Sequence, residues 1–327
     1  LRPTTDAIFQ TIRNAQQIVV ITHVGPDGDA LGSLTAVGCA LHQLGKPFLL
    51  KCDDKVPERF RYLPFQDRVE PANKETCDLI ISVDCGDEQR MGNSYLYLEE
   101  PRPAIINIDH HITNTLFGEI NHIGAEAVST TEILYDLFLD AGLTINKEMA
   151  TTLLTGLVTD TLGFRTVGTT AKTLKVAANL MEAGADLTLI TMQGLNLKPY
   201  STLQLWRFGL DNMRFEGGLI WSTISKEQRK DANFNGASSG GLTNMLADVD
   251  QAAMGAVLME MEDGSIRVGF RCRPPYNVAE LAFNLGGGGH ALASGCTLDG
   301  PLDKAEALVV AMSKDAIRQQ ASSFRRS

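Results

Sequence analysis

QIVVITHVGPDGDALGSLTAVGCALHQLG, residues 17 to 45, decides the fold class. Its first seven residues form an apolar, β-branched run without polar alternation, the pattern of a strand buried on both faces. From Ala30 to Leu44 the pattern is helical, with Asp29 as the expected N-cap and Gly45 as the stop. Further short apolar runs bounded by turn residues follow at Pro47 to Cys52, Cys77 to Cys85 (CDLIISVDC) and Ala104 to His110 (AIINIDH). Ser129 to Ala141 and Lys147 to Thr161 read as helices, the first opened by a capping box in Ser129-Thr130-Thr131-Glu132. Thr170 to Ala183 is a third, ending at Gly184. Strands alternating with helices predict an α/β domain with a mostly parallel sheet and flanking helices over residues 1–186.

Beyond Asp186 the alternation stops. Helical segments near Leu187 to Leu195 and Ser201 to Met213 predict a helical linker over 187–213, and 214–327 is expected to form a second, smaller α/β domain. Within it, Gly217-Gly218 predicts a hairpin or a bend between strands. Ala252 to Glu262, Asp263-Gly264 and Ser265 to Arg273 read as a hairpin, because Asp-Gly supplies the positive-φ turn. Asn277 to Leu285 and Asp303 to Arg318 read as helices separated by Gly286-Gly287-Gly288-Gly289-His290.

With 327 residues, 44% hydrophobic and 21% charged, the chain has an ordinary globular composition that suits about two domains. Its net charge of -10 disfavours non-specific binding to long nucleic acid, which depends on many Lys and Arg contacts to phosphate. A short anionic substrate held by metals and a few arginines is compatible with that charge. The six cysteines contain no Cys-x-x-Cys pair and read as reduced, packed thiols. No apolar stretch reaches the ~20 residues of a membrane span, so a cytoplasmic protein is expected.

The chemistry gathers at strand ends. His23, Asp27 and Asp29 leave the first strand, Asp84 ends another, and Asp109-His110-His111 ends a third. Strand ends of one parallel sheet lie ~4.8 Å apart, so these groups converge on one edge. Taken alone, Pro26-Asp27-Gly28-Asp29 is equally a turn with an N-capping aspartate. Together, Asp27, Asp29, Asp84 and Asp160 carry four negative charges that two divalent ions would cancel. Mixed Asp and His ligation without cysteine favours Mn²⁺, with Mg²⁺ or Co²⁺ as alternatives. Two such ions ~3.5–4 Å apart suit hydrolysis at phosphorus. The four glycines before His290 would let backbone N–H groups approach an anion, and Arg271 and Arg273, at alternate positions, are expected to face the same way. His42 is read as a charge partner at a helix C-terminus, His122 as a loop residue, and Cys85 as turned away from Asp84 by strand alternation.

With these residues in hand, the chain resembles the DHH/DHHA1 phosphoesterases over nearly its whole length. The resemblance rests on His23-x-x-Pro26-Asp27-x-Asp29-Ala30, Val83-Asp84, Asp109-His110-His111 and Gly156-Leu157-Val158-Thr159-Asp160-Thr161. The C-terminal Gly-Gly-Gly-Gly-His-x-x-Ala-Ser-Gly, residues 286 to 295, looks like the DHHA1 signature. The resemblance implies that His23 and Asp27 bind one metal, that Asp29, His110 and Asp160 bind the other, and that Asp84 bridges both. It also implies that Asp109 orients a histidine, that His111 faces the scissile phosphate or the leaving oxygen as a hydrogen-bond donor or acid, and that Arg271, Gly288, Gly289 and His290 grip a terminal phosphate or nucleotide. One departure is Asp160-Thr161-Leu162-Gly163, where relatives commonly place Gly directly after Thr.

The compact layout is similar to the nano-RNase (oligoribonuclease)/pAp phosphatase group. The expected activity is therefore metal-dependent hydrolysis of short RNA or DNA oligonucleotides to nucleoside 5′-monophosphates, with pAp as a further substrate. A phosphodiesterase acting on cyclic di-AMP or pApA is an alternative, and a non-catalytic nucleotide- or RNA-binding module is an alternative of another class. No membrane partner is expected, and a homodimer is compatible with the sequence.

Overall fold

The apolar runs of the N-terminal half become the strands of one sheet. The computed structural model describes residues 3–98, 102–236 and 238–324, and divides after Leu197 into two units with separate cores. The first unit contains α1 (Pro3–Asn14), β1 (Ile18–Ile21), α2 (Gly28–Gln43), β2 (Phe48–Lys51), β3 (Val69–Glu70), β4 (Leu79–Val83), α3 (Asn93–Leu96), β5 (Ala104–Asp109) and β6 (Ile120–Ile123). It continues with α4 (Thr130–Asp140), α5 (Lys147–Asp160), α6 (Ala171–Glu182) and α7 (Leu187–Thr191). All six strands pair in parallel in the order β3-β2-β1-β4-β5-β6. The strand order reverses between β1 and β4, and in such sheets the crevice beyond the carboxyl ends at this point is where ligands bind.

β1 and β4 are buried along their whole length, as continuous apolar runs require. Val20 and Ile81 pack towards Leu34, Leu137 and Leu153 on the helical face, while Val19, Ile21 and Ile80 meet Met91, Tyr95 and Cys85 on the other. Burying each such aliphatic side chain contributes about 1.5–3 kcal/mol relative to exposure. α2 and α5 cross where glycines remove the intervening side chains. Gly32 lies against the Thr152 carbonyl and Gly156, a Cβ on Gly28 would strike Thr159, and one on Gly156 would strike the Asp29 carboxylate and Thr131. The start of α2 is thereby drawn against the end of α5.

α2 begins two residues earlier than its apolar pattern suggests. Asp27, not Asp29, is its N-cap and accepts from the amides of Asp29 and Ala30. At α4, Ser129 accepts from the Glu132 amide as expected, but the Glu132 carboxylate returns to the Val128 amide, so the capping box closes one residue further out. His122 lies in β6 rather than in a loop, paired beside Ile108. His42 occupies the last turn of α2 with its ring against Phe65.

The second unit contains α8 (Tyr200–Asp211), β7 (Arg214–Glu216), β8 (Leu219–Ile224), α9 (Lys226–Asp231), α10 (Leu242–Ala247), β9 (Met254–Glu260), β10 (Ile266–Cys272), α11 (Ala279–Asn284), β11 (Gly288–His290), β12 (Ala293–Leu298) and α12 (Leu302–Phe324). The sheet order is β11-β12-β10-β9-β8-β7, antiparallel except for β8 with β9. α11 and α12 cover one face through Leu281, Val309 and Ile317, and α8 and α10 pack on the other through Leu205, Leu242 and Leu246. The helical stretch expected as a linker is divided: α7 and the π-helical turn Met192–Asn196 fall in the first unit and α8 in the second. Among the described residues, no helix is long and apolar enough to cross a membrane.

The Gly217-Gly218 turn is the hairpin that the sequence reading allows, and two other local details depart from that reading. Gly217 and Gly218 both have positive φ, as a two-residue β7–β8 turn demands, whereas at Asp263-Gly264 only Gly264 does. The Met261 amide bonds to the Ser265 carbonyl, and the Gly264 amide to the Met261 carbonyl, giving a three-residue hairpin loop. The glycine run is followed by a further hairpin, β11 and β12, rather than separating two helices directly.

Candidate functional site

The expected strand-end residues meet at the carboxyl edge of the first sheet. Ligand atoms of His23, Asp27 and Asp84 lie within 4.8 Å of one another, and so do those of Asp29, His110 and Asp160. Asp84 adjoins both groups: its Oδ2 is 3.6 Å from His23 Nε2 and its Oδ1 3.7 Å from His110 Nε2. His110 Nε2 is also 3.3 Å from Asp160 Oδ2. Asp84 follows β4 with φ +60°, in the left-handed region that aspartate tolerates better than most residues with a Cβ. A non-glycine residue held there is typical of a functional site.

The imidazoles are preset for this role. His23 Nδ1 faces the Val24 carbonyl at 2.9 Å and His110 Nδ1 faces the Ala127 carbonyl at 3.4 Å. A carbonyl only accepts, so each Nδ1 carries a proton and each Nε2 is left to face the carboxylates, donating to them when the imidazole is protonated and offering its lone pair when a cation is bound. His111 is arranged differently. Its Nδ1 donates to Asp109 Oδ1 at 2.7 Å, and Asp109 also accepts from the His110 amide and the Asn114 side chain. Asp109 thus orients the two histidines that follow it.

Without cations, electrostatics oppose this arrangement. Asp29 is fully buried and receives the α4 amides of Thr130 at 2.6 Å and Thr131 at 3.1 Å. Even so, burial, then the charges of Asp84 and Asp27, push its carboxyl well above the ordinary range. Burial and the Asp29, Asp27 and Asp84 charges do the same to Asp160. Asp84 is held below the ordinary range: burial alone would raise it, but the hydrogen bond from His23 and the three neighbouring histidines prevail. For His23, burial acts downward, and Asp84 and Asp27 more than offset it. The hydrogen bond to Asp109 raises His111 against its partial burial. Oxygen and imidazole donors crowded in this way fit divalent cations, which cancel the repulsion.

Thr130 adds a contact that sequence reasoning passes over, its hydroxyl donating to Asp84 Oδ1 at 2.8 Å. The capping motif explained this threonine locally and so concealed its second role. The Cys85 side chain is buried on the opposite face from the helical core, away from the ligands.

The second unit carries a cleft of about 500 Å³ on the sheet face opposite α11 and α12, lined by Arg267, Arg271, Ser239, Thr243, Gly286 and Gly287 among others. Arg271 alternates along β10 with Arg267, not with Arg273. Arg273 lies beyond the strand and donates to the carbonyls of Val249, Asp250 and Ala252. Burial draws the Arg271 guanidinium below its ordinary pKa. Gly288, Gly289 and His290 do not line this cleft; they form the exposed edge strand β11. Gly287 and Gly289 are required by close approach to β12, where a Cβ would strike Gly295, Ser294 or Cys296.

Residues 17–157 match the DHH family, N-terminal domain, and residues 217–318 match the DHHA1 domain. A relative from Thermus thermophilus named bifunctional oligoribonuclease and PAP phosphatase NrnA is 32% identical over 308 residues, covering 93% of this chain and 90% of its own. The crystal structure of an exopolyphosphatase-related protein from Bacteroides fragilis superposes with a TM-score of 0.87 at 23% identity, covering 98% of this chain and 96% of that one. RecJ from Thermus thermophilus in complex with Mn²⁺ superposes with a TM-score of 0.55 at 17% identity, covering 98% of this chain and 54% of that one. The two domain matches, in order along one chain, and a relative 32% identical over nearly its full length place this protein in the DHH family, with a C-terminal DHHA1 domain.

Proposed function

We propose that this chain is a metal-dependent phosphodiesterase that cleaves short oligonucleotides to nucleoside 5′-monophosphates and also acts on pAp as a phosphatase. The observation that carries the proposal is the pair of ligand groups adjoining Asp84, with the His111–Asp109 pair beside them. His23 and Asp27 would hold one divalent ion and Asp29, His110 and Asp160 the other, with Asp84 adjoining both groups. The thiolate-free oxygen and imidazole donor set favours Mn²⁺, with Mg²⁺ or Co²⁺ as substitutes. The chemistry such ions would supply there is a lowered pKa of bound water and neutralisation of charge at phosphorus. The name of the Thermus thermophilus relative supports the substrate class.

The protein groups supply the rest. Thr130 fixes the Asp84 carboxylate through its hydroxyl, and the α4 amides fix Asp29. Asp109 holds His111 so that Nε2 can present a proton to the departing oxygen, and the same hydrogen bond holds the imidazole above its ordinary pKa. In the second unit, Arg271, which lines the cleft together with Gly286 and Gly287, binds a phosphate of the substrate, and Gly288, Gly289 and His290 on the exposed edge strand beside it are the further expected contacts.

The test is an assay with Mn²⁺ on pAp and on 5′-labelled RNAs of increasing length, with pApA, cyclic di-AMP and pyrophosphate for comparison. Short RNAs and pAp should be cleaved, EDTA should stop the reaction and Mn²⁺ restore it. Asp84→Asn should lower the rate by about 10³ or more, since several kcal/mol of charge stabilisation is lost. Normal turnover by Asp84→Asn would refute the mechanism, and cleavage of pyrophosphate alone would refute the substrate class.

A further inference from the structure

Arg59, in the 3₁₀ turn Glu58–Phe60 of the first unit, belongs to none of the family motifs, yet its turn packs beside the end of α5 that carries Asp160, with Phe60 against Gly194 and Gly194 against Thr159. The turn is anchored on both sides. Phe60 is fully buried, and the Tyr62 hydroxyl lies 3.0 Å from Thr155 Oγ1, one helical turn before Thr159 and Asp160 on α5. The Arg59 guanidinium carbon stacks over the Phe60 ring, 4.8 Å from its centroid, which limits the positions the side chain can take.

The partner that such an arginine would ordinarily have is missing. Its Nε is buried without a hydrogen-bond acceptor, and no described residue forms an ion pair with it. Burial lowers its pKa, and the charge of Asp27, one of the clustered carboxylates, acts in the opposite direction. Arg59 as a whole is only partly buried, but a buried Nε without an acceptor is costly, and the planar fork it belongs to suits the paired oxygens of a phosphate. The charge balance points the same way. Two divalent ions would cancel Asp27, Asp29, Asp84 and Asp160, so the negative charge of a bound phosphodiester, and the further charge that develops during displacement, calls for additional donors beside the ions.

We propose that Arg59 is a phosphate-binding residue of this centre, gripping non-bridging oxygens of a nucleotide phosphate on the Asp27 side of the ions. The proposal rests on reading the centre as a phosphoesterase site. A cation in this position contributes to affinity for the phosphate rather than to ligation of the metals.

The test compares wild type, Arg59→Gln and Arg59→Lys as Mn²⁺-loaded full-length protein. KM and kcat are measured with pAp and a 5′-phosphorylated dinucleotide, Mn²⁺ affinity by calorimetry, and inorganic phosphate binding by thermal shift. Arg59→Gln should raise KM for both substrates about ten- to a hundredfold, as loss of a charge-assisted contact predicts, and weaken phosphate binding in parallel. Mn²⁺ affinity should stay within about twofold, and Arg59→Lys should recover part of the loss because charge is kept while the fork is not. Unchanged KM and phosphate binding would overturn the proposal. So would a KM change that tracked weakened Mn²⁺ affinity, because Arg59 would then act through Asp27. If wild type hydrolysed neither substrate yet bound phosphate in an Arg59-dependent way, the assigned reaction would fail and the phosphate site would stand.

Discussion

Asp29 and Asp160 are acids placed where ionisation is opposed. Burial and like charge raise both in the folded chain, so between the unfolded and folded pKa values the native state binds more protons and stability falls as pH rises. His23 and His111 act in the same sense: held above the ordinary imidazole value, they contribute stability below it that is lost as pH rises through the folded value. Asp84 and Asp109 have the opposite sign, and their contribution disappears only on stronger acidification. The EDTA-treated protein should therefore melt higher near about pH 6 than near about pH 8, with a smaller slope in Asp160→Asn. With Mn²⁺ present the trend should reverse, because protons compete with the ions for the same atoms. Thermal melts in the two buffers check this, and a metal-free protein stabilised by rising pH would contradict it. The ligand residues were legible because each follows a strand or ends a helix within a recognisable pattern. Thr130 and Arg59 were not, since one reads as helix capping and the other as an ordinary charged residue in a loop.

At the level of elements, the centre depends on how closely α2 and α5 approach. Gly156→Ala would drive a methyl group into Asp29 and Thr131, with little freedom to move because Asp29 is tied to α4. The expected cost is about 1–3 kcal/mol of stability, with weakened Mn²⁺ affinity. Urea denaturation and calorimetry measure the two effects, and unchanged values in both would show that the crossing has slack. Strands rich in Ile and Val, and helices with caps and glycine stops, could be read directly from sequence. β12 could not: Ala293-Ser294-Gly295-Cys296-Thr297-Leu298 is made of small residues, and it becomes a strand through pairing with β10 and β11. β3 was hidden by its two-residue length, and β6 by the polar Asn121 and His122 inside it.

Across the whole molecule, the six cysteines are free and none is fully exposed. Burial pushes Cys39 up to about 12 and Cys52, Cys77, Cys272 and Cys296 up to about 11, with Cys85 raised further. A disulfide reagent at about pH 8 should find less than about one fast-reacting thiol in the native protein, because thiolate is the reactive form. Denaturant should release all six. A fast native equivalent would mean that one of these sites opens. The division into two α/β units followed from the sequence, whereas the sharing of the intervening helices did not, because a periodic apolar face does not say which core it will join. The same division sets an order of assembly. Every candidate metal ligand lies between His23 and Asp160, and the first unit ends at Leu197. Since synthesis runs from the N-terminus and domains fold largely as units, the complete ligand set leaves the ribosome before the second unit follows. The ions available to the nascent chain at that moment, before Arg271 has emerged, would be the first to compete for the centre.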